Sequence, residues 1–218
     1  MWKSRAKASA NDLMIRAQIT PRGLTDDRIN QAMRATDRRL FVPEGQEEFA
    51  YEDRPLPLCP GATVSQPYIV AVMTELLNPQ PAEKILEVGT GSGYQAAILS
   101  LLCKEVYSIE VQPELVEYAR ARLDRVGRQN VTVVTGDGWN GLPDYAPFDG
   151  IIVTAAPATI PEKLSAQLKP GGRMVIPTGK APQQNLQVLR KSLTGDITVE
   201  EHSPVQFVPM IHAPDNIA

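Results

Sequence analysis

A glycine-rich stretch near the middle of the chain carries the sharpest chemical signal. Residues 87–94 read EVGTGSGY, with glycine at positions 89, 91 and 93. Glycine lets the chain turn tightly and lets a ligand approach the backbone closely. A dinucleotide fingerprint of the form GxGxxG would need glycine where Tyr94 stands, and the Lys-Ser/Thr pair of a phosphate-binding P-loop does not follow. The spacing therefore disfavours a nicotinamide dehydrogenase and a P-loop enzyme, and leaves open a turn that binds no ligand.

Two acidic residues further along the chain could bind a polar ligand. Glu110 ends the segment VYSIE, and Asp137 lies in the segment GDGW at residues 136–139. A carboxylate suits two neighbouring hydroxyls because it only accepts hydrogen bonds and holds two oxygens side by side. Each residue also has an ordinary interpretation, Glu110 as a solvated acid that begins a helix and Asp137-Gly138 as a simple turn.

The elements that must position these residues alternate between strand and helix. The predicted strands are rich in Val and Ile with little strict alternation, as expected of strands buried on both faces. Such alternation predicts an α/β fold with a doubly wound, Rossmann-like, mostly parallel sheet. Two later segments alternate more strictly and predict a C-terminal antiparallel strand pair. The strands are expected at 84–88, 105–109, 131–135, 150–154 and 173–176, the helices at 95–103, 113–126 and 161–168, and the closing pair at 186–193 and 198–208.

The first part of the chain has a different pattern and predicts a helical N-terminal addition. Short helices are expected around residues 13–19 and 25–33, followed by a loop at 41–62 and a helix from Ser65 that Asn78-Pro79 stops. We expect a single domain over residues 1–218. Its parts would be a helical and loop addition at 1–64, a ligand-binding core at 65–180 and C-terminal strands at 181–218.

Composition narrows the class of protein. The 218 residues carry a formal net charge of −3, which argues against a dedicated nucleic-acid binder. No apolar run approaches the roughly 18 residues of a membrane span, and the first residues, MWKSRAKASAND, lack the apolar core of a signal peptide. Two cysteines are too few for a disulfide framework or a zinc cluster. We therefore expect a cytoplasmic protein with no nucleic-acid, membrane or metal partner.

The pattern ExGxGxG at residues 87–93 resembles motif I of class I S-adenosylmethionine-dependent methyltransferases. The resemblance implies S-adenosyl-L-methionine as the cofactor. It also implies that Glu110 accepts hydrogen bonds from both ribose hydroxyls and that Asp137 meets the adenine amino group. The cofactor-binding residues would be Glu87, Gly89, Thr90, Gly91, Gly93, Glu110, Asp137 and Gly138.

Three further blocks resemble one family within that class. AYEDRPLP at 50–57, TVSQPY at 63–68 and VQFVPM at 205–210 are similar to protein-L-isoaspartate (D-aspartate) O-methyltransferases, and the likeness runs from about Leu13 to Met210. Methyltransferases of exocyclic base amines carry a different motif where this chain has TAAP at 154–157. The chain departs from common bacterial members at Cys59, Pro60, Ala62 and Gln206.

The resemblance implies a reaction on damaged proteins. A methyl group would pass to the free carboxyl of L-isoaspartyl residues in peptides and proteins, with D-aspartyl residues left open, and the ester would close to a succinimide. The carboxylate is already ionised at neutral pH, so no general base is needed. This fits a chain whose two histidines, His202 and His212, adjoin no motif. We expect a monomer.

Ser65 stands at the position of the family's active-site serine and would orient the substrate carboxylate. Together with Ala62, Thr63 and Val64 it would form the substrate-binding wall. An alternative is that Ser65 only caps the helix that follows it, since serine is a favoured N-cap. Two other functions remain open, namely a methyltransferase for a small-molecule acceptor and a binding protein that has lost turnover.

Overall fold

The computed structural model of the chain describes residues 8–213. The first seven residues of the predicted N-terminal addition and the last five of the predicted C-terminal part lie outside this range. The described helices are α1 (Ala10–Met14), α2 (Asp27–Arg34), α3 (Pro67–Leu77), α4 (Tyr94–Leu99), α5 (Pro113–Arg125) and α6 (Glu162–Ala166). The strands are β1 (Leu56–Cys59), β2 (Ala62–Val64), β3 (Lys84–Val88), β4 (Glu105–Glu110), β5 (Val131–Thr135), β6 (Phe148–Val153), β7 (Leu168–Lys180), β8 (Gln183–Lys191) and β9 (Ile197–Val205).

A seven-stranded sheet organises the molecule, with strand order β5-β4-β3-β6-β7-β8-β9. The first five strands in this order pair in parallel, whereas β8 pairs antiparallel with both β7 and β9. Alternate residues of β3 enter different apolar clusters, Ile85 on one side and Leu86 on the other. Because successive side chains of a strand point to opposite faces, both faces of the sheet are covered. The predicted fold class is confirmed.

The parallel register brings the ends of four strands to one edge of the sheet. Glu87 pairs with Ser108, Val88 with Val153, and Glu110 with Thr135. The loops that follow β3, β4, β5 and β6 therefore emerge next to one another. This is the edge at which open α/β sheets bind ligands.

The N-terminal addition is helical, as predicted, and packs against the core through an apolar face. α1 continues into a single π-helical turn at Ile15–Ile19, and Met14, Ile15, Ile19 and Met33 are buried. The amphipathic spacing of these residues produces that face.

The loop prediction for residues 41–62 is wrong at its C-terminal end. β1 and β2 form a two-stranded antiparallel hairpin, and Pro60-Gly61 makes the turn. Gly61 has φ +81°, and proline followed by a left-handed glycine is the signature of a type II turn. The prolines at 55 and 57 led to the prediction of a loop, because proline interrupts strand pairing.

Strand and helix boundaries also differ near the fifth parallel strand. β7 begins at Leu168, not at residue 173, and the predicted turn at Lys169–Gly172 is a bulge inside it. Phe148 pairs with Leu168 and Gly150 pairs with Arg173, so the four residues 169–172 of β7 lie opposite the single residue Asp149 of β6. α3 begins at Pro67, two residues after the position predicted for its start.

Across residues 8–213, the helices are too short or too polar for any of them to cross a membrane.

Candidate active site

A cavity of about 750 Å³ lies at the edge where the parallel strands end. Four parts of the chain enclose it: the β1–β2 hairpin, the segment from Ser65 into α3, the loops after β3 to β6 with the helices they lead into, and the C-terminal segment 204–211. The predicted site residues that line it are Ala62, Thr63, Ser65, Glu87, Gly89, Thr90, Gly91, Glu110 and Gly138. Val64, Gly93 and Asp137 do not line it.

Two glycines of the EVGTGSGY loop are required by close packing. Gly89 has φ +95°, and a Cβ there would lie 2.5 Å from the Thr154 hydroxyl. Gly93 has φ +83° at the N-cap of α4, and a Cβ there would lie 3.3 Å from the Ala119 side chain on α5. Gly89 therefore holds the loop close to β6, and Gly93 lets α4 approach α5.

Glu87 is completely buried at the end of β3 and faces the cavity. Its Oε2 accepts a hydrogen bond from the Ser108 hydroxyl, which lies 2.6 Å from the Thr90 hydroxyl. Its Oε1 has no partner within the described structure. Burial, helped to a smaller extent by the nearby Glu110 carboxylate and opposed by the Ser108 hydrogen bond, raises the pKa of Glu87 to about 8. An unpartnered buried oxygen here favours a ligand that brings a hydrogen-bond donor or a positive charge.

Glu110 is held by backbone amides at the end of β4. Its Oε1 accepts from the N–H groups of Val111 and Gln112 at 2.9 and 3.1 Å, and its Oε2 accepts from Gly91 N–H at 2.9 Å. A carboxylate has about four lone-pair sites, and three are used by these N–H groups, so roughly one remains for a ligand. A second becomes available if the Gly91 amide moves away. The fixed carboxylate can therefore receive a hydroxyl donor at the Oε2 side.

Asp137 lies beside the cavity and is engaged by two groups. Its Oδ1 accepts from Trp139 N–H at 2.9 Å, which caps the short turn 138–140, and its Oδ2 lies 3.0 Å from Nδ1 of His212. The His212 ring also stacks on Trp139, with centroids 4.8 Å apart. The expectation that neither histidine adjoins a motif is therefore wrong for His212, because the C-terminal segment folds back over the loop after β5.

Ser65 does not cap α3. The N-cap of α3 is Gln66, Pro67 stands at the first helical position, and no side chain caps this helix. The half-buried Ser65 hydroxyl faces the cavity and makes no hydrogen bond within residues 8–213. The N-cap alternative is thereby excluded, and the hydroxyl remains available to a ligand.

The hairpin divides the predicted substrate wall. Ala62 and Thr63 line the cavity, whereas Val64 is completely buried in the core and is not part of the lining. Alternation along β2 explains why Thr63 and Val64 face opposite sides, since adjacent residues of a strand do so. Ala62 borders the cavity because it stands next to the turn at Pro60-Gly61.

Three contacts that hold the site together were not predicted from the sequence. Thr154, at the end of β6, donates to the carbonyl of Gly89 at 2.6 Å and fixes the glycine loop. The C-terminal segment is tied to the same strand end, since Met210 N–H donates to Ala156 O at 2.9 Å. The buried Arg38 donates to the carbonyl of Ser65 at 2.9 Å. The strand-end position of Thr154 was a usable signal, but no local pattern distinguishes Arg38 from a surface arginine.

The arrangement fits S-adenosyl-L-methionine on the cofactor side. The unpartnered Glu87 Oε1 suits an ammonium group, Glu110 suits a diol, and the Gly138 backbone lines the part of the cavity next to Asp137. Among the residues that the structure describes, no group of three or more His, Cys, Asp or Glu side chains is placed to hold a metal ion.

Comparison with known proteins agrees with this geometry. The family model for protein-L-isoaspartate (D-aspartate) O-methyltransferase matches residues 8–214. A protein-L-isoaspartate O-methyltransferase 2 of Nitrosococcus oceani is 52% identical over 185 residues, which cover 85% of this chain and 84% of that protein. A protein-L-isoaspartate O-methyltransferase of Myxococcus xanthus is 50% identical over 199 residues, which cover 90% and 94%.

Solved structures show the same fold. A protein-L-isoaspartate O-methyltransferase with 28% identity superposes with a TM-score of 0.82; the match covers 92% of this chain and 65% of that chain. A Plasmodium falciparum protein in complex with S-adenosyl-L-homocysteine is 22% identical, with a TM-score of 0.80 and coverage of 92% and 98%. By its sequence and its fold, this chain belongs to the protein-L-isoaspartate (D-aspartate) O-methyltransferase family.

Proposed function

We propose that the chain transfers a methyl group from S-adenosyl-L-methionine to the free carboxyl of L-isoaspartyl residues in peptides and proteins, with Ser65 orienting the acceptor. The observation that carries the proposal is the Ser65 hydroxyl. It caps no helix, has no protein partner within the described structure, and lines the same cavity as Glu87 and Glu110. A donor in this place can fix an acceptor next to the cofactor.

On the cofactor side, the roles follow from the contacts. Glu87 would receive the ammonium group at Oε1, Glu110 would accept from the ribose hydroxyls, and Asp137 would accept from the adenine amino group through Oδ2. Gly89, Thr90, Gly91 and Gly138 would supply the adjoining walls, and Gly93 would act only through packing. When bound, the cofactor supplies an activated methyl group on a positively charged sulfonium.

On the acceptor side, positioning is the main task of the protein. The isoaspartyl carboxylate is ionised at neutral pH and needs no general base. The Ser65 hydroxyl would donate to one carboxylate oxygen, which leaves the other oxygen aimed at the methyl group, and Ala62 and Thr63 would bound the peptide. Orientation of this kind can contribute several kcal/mol to lowering a barrier, up to about 7–11 in favourable cases.

The methyl ester would then close to a succinimide as the neighbouring amide nitrogen displaces methanol. Hydrolysis of the succinimide returns part of the residues as normal aspartyl, which makes the reaction a repair. The assay described below, run with a D-aspartyl peptide, tests whether D-aspartyl residues also react.

We also propose that residues 1–218 act as one methyltransferase domain, as a monomer in the cytoplasm, without nucleic-acid or membrane partners. The parallel strands and the C-terminal strands share one sheet, which supports a single domain. The net charge of −3 supports the absence of nucleic acid. Light scattering of the purified chain would test the oligomeric state.

The test of function uses two synthetic peptides of one sequence that differ only in an isoaspartyl or an aspartyl linkage. Each is incubated with methyl-labelled S-adenosylmethionine, and base-labile volatile methanol is counted. Label on the isoaspartyl peptide alone is expected. Label on neither peptide, despite measurable cofactor binding, would contradict the proposal.

Ser65→Ala tests the role of the hydroxyl. Loss of a hydrogen bond to a charged group costs about 1.5–3 kcal/mol, so kcat/KM should fall roughly ten- to hundredfold. The free energy of unfolding should change by less than about 0.5 kcal/mol, because Ser65 caps no helix. Ser165→Ala is the matched control, a half-buried serine on α6 outside the cavity, and should keep full activity.

A further inference from the structure

Arg38 is a completely buried arginine. It ranks first by volume among the fully buried side chains of residues 8–213. No ion pair to it is present within that range, although most arginines of the N-terminal addition pair with Asp or Glu. Burial of an unpaired charge is costly, so a protein that keeps one needs hydrogen bonds that hold it and gains something from its presence.

Four backbone carbonyls surround the guanidinium. Nη1 donates to Ala50 O at 2.6 Å, and Nη2 lies 3.1, 3.2 and 2.9 Å from the carbonyl oxygens of Arg54, Val64 and Ser65. These carbonyls belong to separate stretches of the chain, the segment before the hairpin and the segment that leaves it. The planar fork of an arginine can join them, which a lysine ammonium cannot do with the same geometry.

The cation lies one peptide group behind the acceptor side of the cavity. Because the peptide bond is planar and trans, the Gln66 N–H points away from the Ser65 carbonyl and thus away from Arg38. Both Ser65 and Gln66 line the cavity. Burial lowers the pKa of Arg38 to about 10, so the side chain remains charged at neutral pH.

The cavity itself has the wrong charge for its acceptor. Its lining includes the Glu110 carboxylate, while burial keeps the Glu87 carboxyl group protonated at neutral pH, and it includes no Lys or Arg side chain from the described part of the chain. An isoaspartyl peptide must bring an additional carboxylate into this space. Like charges repel strongly where water is excluded, so a nearby positive charge is needed to offset them.

We propose that Arg38 is the positioning residue of the acceptor site: it fixes Ser65 through the backbone and supplies the positive field that favours an anionic acceptor. The inference rests on the proposed function, since it assumes a carboxylate acceptor. Arg38 touches neither substrate nor cofactor and acts through the Ser65–Gln66 peptide.

The test uses two ligands to distinguish an electrostatic effect of Arg38 from a purely structural one. One is the isoaspartyl peptide, and the other is the same peptide with the acceptor carboxylate replaced by a carboxamide. Their Kd values are measured in the presence of S-adenosyl-L-homocysteine, whose uncharged sulfur removes the positive charge of the sulfonium. A purely structural residue would weaken both peptides alike, whereas a residue that supplies the field changes their ratio.

The wild-type protein should prefer the anionic peptide by about tenfold or more. Arg38→Met should reduce this preference to within about twofold, with the Kd for S-adenosyl-L-homocysteine unchanged. Arg38→Lys should keep most of the preference but lose at least about tenfold in kcat, because one ammonium cannot hold four carbonyls. Arg128→Met is the control, since Arg128 also donates to a backbone carbonyl, that of Ala35, but Ala35, unlike Ser65, does not line the cavity.

A folded Arg38→Met variant with the wild-type preference would overturn the proposal, as would a wild-type protein without any preference. Folding is checked by thermal unfolding and by S-adenosyl-L-homocysteine binding. If Arg38→Met does not fold, Arg38→Lys decides, and a wild-type kcat in that variant would overturn the positioning role. Failure of the wild-type protein to methylate the isoaspartyl peptide would instead contradict the proposed function.

Discussion

Replacing Glu87 with glutamine should make the stability of the protein less sensitive to pH. Glu87 is completely buried, and burial raises its pKa from an ordinary 4.5 to about 8. In the folded protein the carboxyl group keeps its proton over a pH range in which the unfolded chain has already lost it. The unfolded state therefore binds fewer protons, and the free energy of unfolding must fall as the pH rises through this window.

The magnitude follows from the width of the window. Below about pH 4.5 both states are protonated at Glu87 and the group causes no pH dependence. Between there and about pH 8, each pH unit lowers the free energy of unfolding by about 1.4 kcal/mol, or about 3 kcal/mol from pH 5.5 to 7.5. Above about pH 8 both states are ionised and the loss levels off. For a chain of 218 residues, 3 kcal/mol corresponds to a Tm difference of about 6–12 °C.

Glutamine has nearly the same shape and cannot ionise, so Glu87→Gln should remove this slope. Its amide oxygen can still accept from Ser108, while its NH2 group would replace the unpartnered Oε1 and impose a cost that does not depend on pH. The difference in stability between variant and wild type should therefore shift steadily in favour of the variant from pH 5.5 to 7.5.

Urea unfolding followed by circular dichroism at pH 5.5, 6.5, 7.5 and 8.5, without cofactor, measures the difference directly. Glu117→Gln serves as the control, because that side chain is exposed on α5 and its replacement should leave the pH profile parallel to the wild type. A constant difference between Glu87→Gln and wild type across these pH values would refute the reasoning, since it would mean that Glu87 is ionised in the folded protein or already protonated in the unfolded one.

Three further predictions concern the cofactor side of the cavity. Gly89→Ala should lower the free energy of unfolding by about 1–3 kcal/mol through backbone strain, and further through the clash with Thr154. Gly127→Ala is the control, because Gly127 has φ +69° and open space around it and should show the strain alone. Equal losses in urea unfolding would exclude the clash. Glu110→Gln should weaken S-adenosyl-L-homocysteine binding about tenfold or more by calorimetry, because an amide cannot accept at both ends, and unchanged affinity would remove Glu110 from the site. Asp137→Asn should reduce the preference for S-adenosyl- over S-inosyl-homocysteine, which lacks the amino donor, and an unchanged ratio would show that Asp137 does not read the base.

The half of the cavity formed by the glycine loop and Glu110 was predictable in its structure because most of its parts are local. A strand, a glycine turn and a helix follow one another within residues 84–99, so spacing along the sequence fixes spacing in space. Glu110 follows the same rule, since the parallel register places the end of β4 beside the end of β3. Short strands buried on both faces are recognisable without any knowledge of their partners.

The predictions that were wrong concern contacts between residues far apart in the sequence. The β1–β2 hairpin has only three paired positions, and its prolines are more typical of a loop than of a strand. His212 reaches Asp137 across 75 residues, and Val64 is directed into the core by an alternation that belongs to an unrecognised strand. None of these contacts leaves a period or a spacing in the sequence, because each depends on how the finished sheet brings distant segments together.

Arg38 shows how this division between local and distant contacts affects function. An arginine between Asp37 and Arg39 has the sequence context of a surface residue, yet it is the buried group that joins the chain before the hairpin to Ser65, 27 residues away. The glycine loop at 89–93 can form from neighbouring residues, but the segment around Ser65 is held by long-range hydrogen bonds from the N-terminal addition. Substitutions in the addition that leave cofactor binding intact should therefore still impair methyl transfer, because the addition holds Ser65 in place.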